Sequence, residues 1–171
     1  ISDKVNGFQI AGPNSRKLLQ KVTDFSLENF KFRDAHTILV GSIPCLVQRV
    51  SYTGDLGFEI YCSQDKQFNL WEILWSAGTE FDIKPFGMRA MMSLRLDKFF
   101  GSWLSEFSPD YTPAETGLDK FINFKKDYDF IGRSAAYSEH INGCERKLCI
   151  FEVDADDADV VGYEPISLQN K

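Results

Sequence analysis

Residues 49–62, RVSYTGDLGFEIYC, combine a glycine-containing turn with a short run of aromatic and β-branched residues. The segment 53–57 predicts the turn, and the segment 58–62 predicts a strand. Two β-rich runs, residues 30–41 and residues 43–52, come just before the turn and are separated by a Gly-Ser pair that is typical of a β-hairpin. Three strands in succession predict an antiparallel sheet.

Apolar patterns in the sequence before and after these strands predict helices that pack on the sheet. Residues 8–22 indicate a short strand and then a helix with Pro13 at its first position, where a missing N–H costs nothing. The order of predicted elements, β-α-β-β-β-α-β-α, favours the α+β class, an antiparallel sheet with packed helices. The other predicted elements are helices at residues 64–77, 87–100 and 130–141 and strands at residues 81–86 and 146–153.

A change in composition near residue 154 divides the chain. Residues 1–153 are predicted to form a central domain. An acidic connector begins at Asp154, and residues 154–171 are predicted to start a following β-rich domain or to form a C-terminal tail. Since the first residue is not Met, we expect a fragment of a longer protein that lacks an upstream part.

Composition excludes several classes of function. The net charge of −6 and the absence of a Lys/Arg cluster argue against nucleic acid or an anionic membrane as a partner. No apolar run has the length that a membrane span needs. The cysteines lack CxxC spacing and the histidines lack neighbouring ligands, so no metal site is predicted. The chain has no signal peptide, and we expect a cytoplasmic protein.

Glu59 and Arg89 each allow two interpretations from the sequence alone. Strand alternation places Phe58 and Ile60 on one face of the sheet and Glu59 and Tyr61 on the other, and this pattern by itself favours a Glu59 that faces solvent. Alternatively, the carboxylate faces a pocket and accepts two hydrogen bonds from the edge of a planar ligand. Arg89, on a Met-rich helix, either extends to water or pairs with an acidic group across a pocket.

Several motifs in a fixed order resemble those of one family. They are IAGPNSRKLL (10–19), RVSYTGDLGFEIYC (49–62), GMRAMMSLRLDKFFGSW (87–103), TPAETGLDKFI (112–122) and DFIGRSA (129–135). Together they resemble the aminomethyltransferase family, the T-protein of glycine cleavage, and especially the folate-binding regions of the dimethylglycine and sarcosine dehydrogenase branch. The similarity spans residues 7–153. It implies a three-domain folate-binding arrangement with a ferredoxin-like element, of which residues 1–153 would be the central folate-binding domain.

The resemblance also implies roles for particular residues. Glu59 matches the carboxylate that binds the aminopyrimidine edge of the pterin, Tyr52 matches a tyrosine that lines the pterin slot, and Arg89 matches a folate-site arginine. The catalytic aspartate of the family belongs to a segment upstream of the IAGPNS match. We therefore expect the catalytic residue to lie outside this chain, and its identity here is unknown.

The function implied by the resemblance is tetrahydrofolate-dependent transfer of an aminomethyl or methylene unit. The chain would be a fragment of an aminomethyltransferase-like enzyme or of the folate domain of an amine dehydrogenase, and inactive alone. Its partners would be folate and a small methylated amine or an aminomethyl carrier, with FAD possible only in a missing N-terminal domain. Two alternatives stay open, a non-catalytic folate-binding module and an α+β interaction domain with an empty pocket.

Overall fold

An antiparallel sheet forms where buried and exposed side chains alternate along the chain. The computed structural model describes residues 3–157 and 160–167, and the chain divides into two compact units, Ile1–Ser102 and Trp103–Lys171. The sheet lies in the first unit, its spatial order is β1-β4-β3-β2, and neighbouring strands are antiparallel. The strands are β1 (Val5–Ala11), β2 (Ala35–Val40), β3 (Ile43–Gln48) and β4 (Gly57–Ser63).

Helices cover one face of this sheet. The helices that contact it are α1 (Ser15–Lys21) and α2 (Gln67–Gly78), and both contact β4; a third helix of this unit, α3 (Met88–Leu96), follows along the chain. Leu19 of α1 and Leu70 of α2 are fully buried against Phe58 and Ile60 of β4 in one apolar cluster. Burial of this face supplies most of the driving force for folding. The predicted α+β class, an antiparallel sheet with packed helices, is confirmed.

Some predicted elements differ from the structure. Pro13 precedes α1 and its N-cap, Asn14, instead of opening the helix. Residues 81–86 form no strand, because Asp82 has a left-handed backbone with φ of 54° and Pro85 lacks an N–H. Residues 146–153 also form no strand; a strand needs a partner that pairs its backbone groups, and this segment has no pairing strand among the described residues. The predicted boundary near residue 154 stays a prediction.

Two further helices belong to the second unit. They are α4 (Pro113–Thr116) and α5 (Arg133–Asn142). α4 begins with a capping box, in which the Glu115 amide donates to Thr112 Oγ1 and the Thr112 amide donates to Glu115 Oε2. Arg146 Nε donates to the other carboxylate oxygen of Glu115 at 2.8 Å. The backbone hydrogen bond of Thr112 and the Arg146 guanidinium hold the pKa of Glu115 below its ordinary value.

Glu115→Ala is expected to make backbone amides around α4 exchange several-fold faster with solvent. The change removes the acceptor for the Thr112 amide and the ion pair with Arg146. Hydrogen exchange followed by mass spectrometry on peptides that cover residues 112–117 measures the effect. Because the folded pKa of Glu115 is lowered, the wild-type protection should be full near neutral pH and decline as pH falls through that pKa.

The matched control for this prediction is Glu145→Ala, which removes an exposed carboxylate from the same unit. We expect that variant to exchange like wild type around α4. Equal exchange in the Glu115→Ala and Glu145→Ala variants would mean that the capping box does not stabilise this helix.

None of the helices within residues 3–157 and 160–167 combines the length and the apolar character that a membrane crossing requires.

Candidate functional site

Glu59 lies in a polar row that crosses three strands of the sheet. Its partner in the register of β1 is Gln9, and its partner in β3 is Gln48. Residues directly opposite each other in an antiparallel pair project from the same face, so the three side chains share the face that is opposite to Phe58 and Ile60. All three are half-buried. The alternation predicted from the sequence is confirmed, and strand register adds two amides that the sequence analysis did not single out.

A hydrogen bond joins Glu59 to the next side chain on the same face of β4. The hydroxyl of Tyr61 donates to Glu59 Oε2 at 2.6 Å. This hydrogen bond, together with burial, raises the pKa of Tyr61 to about 12. Because the folded pKa lies above the ordinary value of 10.0, the hydrogen bond stabilises the fold below pH 10 and this stabilisation is lost as pH rises through about 12.

Tyr61 lies over a glycine of the edge strand. Gly7 is its register partner in β1, and a Cβ added to Gly7 would lie 2.7 Å from Cδ1 and 2.8 Å from Cε1 of the Tyr61 ring. Real Cβ atoms essentially never approach so closely. Because Gly7 has no side chain, the Tyr61 ring can occupy this position.

Tyr52 is held beside the chain that follows α3. Its hydroxyl donates to the carbonyl of Gly101 at 2.9 Å, and its ring stacks on Phe100 with centroids 6.3 Å apart. The preceding residue, Ser51, accepts a 3.4 Å hydrogen bond from Gln9 Nε2. Gln9 thus links the segment before the turn to the row that contains Glu59, while no hydrogen bond joins Tyr52 to Glu59 in the described part of the chain.

Arg89 lies on the exposed first turn of α3. Its carbonyl accepts a 3.4 Å hydrogen bond from Ser93 Oγ. Within the described residues, its guanidinium forms no ion pair with Glu59 and no hydrogen bond with Tyr52. The structure therefore links Glu59 to the Tyr52 segment and leaves Arg89 as an exposed cation.

A cleft of the first unit meets this polar row at Gln9. Its volume is about 600 Å³. Gln9 lines the cleft, but Glu59, Tyr52 and Arg89 do not. Trp71 and Trp75 of α2 stack within it at 5.2 Å between ring centroids. An aromatic cleft next to a polar row can receive a flat, partly apolar molecule.

The two buried cysteines are poorly suited to act as nucleophiles. Cys45 and Cys62 are buried, and burial raises the pKa of Cys45 to about 11. A thiol with such a pKa stays protonated near neutral pH and reacts poorly. Across residues 3–157 and 160–167, no group of three His, Cys, Asp or Glu side chains is arranged to hold a metal ion.

Comparison with known proteins gives a match to one family model and to named relatives of two kinds. Residues 1–126 match the family model of the GCVT N-terminal domain. The chain is 39% identical to the mitochondrial dimethylglycine dehydrogenase of Mus musculus, over 100% of the chain and 20% of that protein. It is 36% identical to the aminomethyltransferase of Caldanaerobacter subterraneus subsp. tengcongensis, over 96% of the chain and 44% of that protein. The chain thus spans from a fifth to less than half of the length of these relatives.

Among solved structures, the heterotetrameric sarcosine oxidase of Corynebacterium sp. U-96 aligns with a TM-score of 0.44 and 24% identity. The alignment covers 50% of this chain and 44% of that chain.

Proposed function

The chain belongs to the GCVT N-terminal domain family, and from this premise we propose that it supplies the pterin-binding part of a tetrahydrofolate-dependent one-carbon transferase. The names of two relatives, an aminomethyltransferase and a dimethylglycine dehydrogenase, support transfer of an aminomethyl or methylene unit. In this proposal the complete protein is the enzyme, and these 171 residues hold the cofactor without completing the reaction.

The observation that carries the proposal is the carboxylate of Glu59. It lies half-buried on the open face of the sheet, in register with Gln9 and Gln48. A pterin presents a 2-amino group and a ring N–H side by side, and a carboxylate offers two adjacent acceptors to such a pair of donors. The chemistry of Glu59 therefore fits the edge of tetrahydrofolate, which carries the one-carbon unit when it is bound.

Tyr52 and Arg89 have secondary roles in this proposal. The aromatic ring of Tyr52, already stacked on Phe100, supplies an apolar wall for the pterin. The exposed guanidinium of Arg89 attracts an anionic part of the ligand. Both roles rest on the match to the family motifs, and each is a proposal for mutagenesis.

The amine substrate and any flavin belong to the complete protein. The relatives are at least twice as long as this chain, which supports further domains that complete the active site. We propose a small methylated amine or an aminomethyl carrier as substrate, and FAD only in an additional N-terminal domain. A cytoplasmic location also stays a proposal. The mouse relative is named as a mitochondrial protein, and that location is said of the relative alone.

Glu59→Gln is expected to weaken binding of 5-formyltetrahydrofolate, a stable reduced folate, by about ten- to a hundredfold. Gln keeps the shape of Glu59 but replaces one acceptor oxygen by a donor, and hydrogen bonds to a charged group contribute about 1.5–3 kcal/mol. NMR titration of the 171-residue chain measures the dissociation constant even when binding is weak.

The matched control is Glu72→Gln, which neutralises an exposed carboxylate on α2 of the same unit. It should bind the reduced folate like wild type. The proposal fails when wild type does not bind the reduced folate, or when Glu59→Gln and wild type bind it equally.

A further inference from the structure

We propose that Tyr61 is a positioning residue that holds the Glu59 carboxylate ready for a ligand with two adjacent hydrogen-bond donors, and that Gly7 provides the space for its ring. This inference rests on the proposed function, because it concerns the same carboxylate. It assigns a role to two residues, Tyr61 and Gly7, whose contacts come from the structure.

The first observation is the short hydrogen bond from Tyr61 to Glu59. Side chains two residues apart on a strand project from the same face, and here the hydroxyl of Tyr61 reaches Glu59 Oε2 at 2.6 Å. A glutamate side chain has several rotatable bonds, and a free one must lose that rotational freedom when it binds a ligand. Since the fold already fixes one oxygen of Glu59, less freedom is lost at the moment of binding.

The second observation is the close approach between Tyr61 and the backbone of β1. The added Cβ at Gly7 would overlap ring carbons of Tyr61 at 2.7 and 2.8 Å, while the backbone of Gly7 is that of an ordinary strand residue. Glycine is therefore needed here for space and not for an unusual backbone angle. With any side chain at Gly7, the Tyr61 ring would have to move, and this movement would disturb the hydrogen bond from its hydroxyl to Glu59.

The hydrogen bond also determines which ligands the carboxylate accepts. As Tyr61 donates, Oε2 acts as an acceptor, and its remaining lone pairs together with those of Oε1 can accept further hydrogen bonds. The groups beside Glu59 in register, Gln9 of β1 and Gln48 of β3, carry no charge. On the same face of β4, the titratable side chain next to Glu59 is that of Tyr61. The arrangement favours an edge made of two donors, such as a 2-aminopyrimidine N–H edge, over an edge made of acceptors.

The first test measures the hydrogen bond without any ligand. In the wild-type chain, NMR of tyrosine labelled at Cζ should show Tyr61 titrating at about 12. In Glu59→Gln the charged acceptor is lost, so the Tyr61 pKa should fall toward its ordinary value of 10.0. An unchanged Tyr61 pKa in this variant would show that the hydrogen bond does not form and would overturn the inference.

The second test measures the effect on ligand binding. Tyr61→Phe keeps the ring over Gly7 but removes the hydroxyl, and we expect it to weaken binding of 5-formyltetrahydrofolate by about three- to tenfold. Tyr137→Phe, on an exposed tyrosine of the second unit, is the matched control and should bind like wild type. Gly7→Ala should reproduce the defect of Tyr61→Phe, since it displaces the ring.

A double-mutant cycle separates positioning from a general structural effect. If Tyr61 acts through Glu59, Tyr61→Phe should have no further effect on binding once Glu59→Gln is present. Equal losses in both backgrounds would overturn the inference and leave the proposed function intact. A third outcome is that Tyr61→Phe and Glu59→Gln each bind the reduced folate like wild type, while the Tyr61 pKa is lowered in Glu59→Gln. This outcome would contradict the proposed function of Glu59 and, with it, the role of Tyr61 in ligand binding.

Discussion

Phe58→Ala is expected to lower the free energy of unfolding by about 3–5 kcal/mol, the range for truncating a buried aromatic side chain. Phe58 is 0% exposed at the start of β4. Its ring centroid lies 5.9 Å from that of Phe30, and the guanidinium carbon of Arg16 lies 5.6 Å above the ring. Truncation would leave a cavity between the sheet and the loop after α1, and would remove the aromatic face on which Arg16 rests.

Urea denaturation followed by circular dichroism measures this loss of stability. The matched control is Phe68→Ala on α2, whose side chain is 69% exposed. Because Phe68 buries little area and Ala favours helix, its removal should change the free energy of unfolding by less than about 0.5 kcal/mol. If both variants lost the same stability, the face of β4 that contains Phe58 would not be the core.

Gly57→Ala is the second change for which we expect a large effect, a loss of about 1–3 kcal/mol through overpacking. Gly57 is buried at the start of β4, opposite Ala11 of β1. An added Cβ would lie 2.8 Å from the carbonyl oxygen of Ile10 and 2.8 Å from Cβ of Ser51. Since the oxygen of Ile10 belongs to the backbone, it cannot turn aside, and the pairing of β1 with β4 would have to open at this end.

The same variant should also weaken folate binding, because a displaced Ser51 disturbs its hydrogen bond with Gln9 in the row that contains Glu59. Gly87→Ala is the matched control: nothing lies within 4 Å of an added Cβ there, and its backbone is extended. That variant should lose less than about 1 kcal/mol. Thermal unfolding and the folate titration measure the two effects, and a Gly57→Ala protein as stable as Gly87→Ala would show that the Gly57 site tolerates a methyl group.

The elements predicted well are those that local sequence specifies. The hairpin of β2 and β3 is joined by a Gly-Ser pair, and Gly41 adopts the positive φ, 58°, that glycine allows. The two faces of β4 follow from strict alternation. The predicted helix at residues 64–77 is α2, Gln67–Gly78, after a short 3-10 turn. In each case the signal lies within a few residues of the structure that it specifies.

The elements predicted poorly are those that depend on a distant partner. Residues 146–153 have the composition of a strand, but within the described residues their backbone has no neighbouring strand to pair with. β1 is specified as a strand by its own residues, yet its position beside β4 depends on residues about fifty positions away. Sequence analysis found Glu59, Tyr52 and Arg89 as candidates, but it could not show that Arg89 and Glu59 form no ion pair within the part of the chain that the structure describes.

By itself, the sequence determined the fold class, the face of β4 on which Glu59 lies and the family motifs, because periodicity and turn chemistry are properties of neighbouring residues. Tertiary structure alone decided the environment of that carboxylate. Register brings Gln9 and Gln48 to either side of Glu59, and Gly7 leaves the space in which the Tyr61 hydroxyl reaches Oε2. The pairings of Gln9 and Gln48 with Glu59, and of Gly7 with Tyr61, join residues that are separated along the chain, and only packed strands bring such residues together.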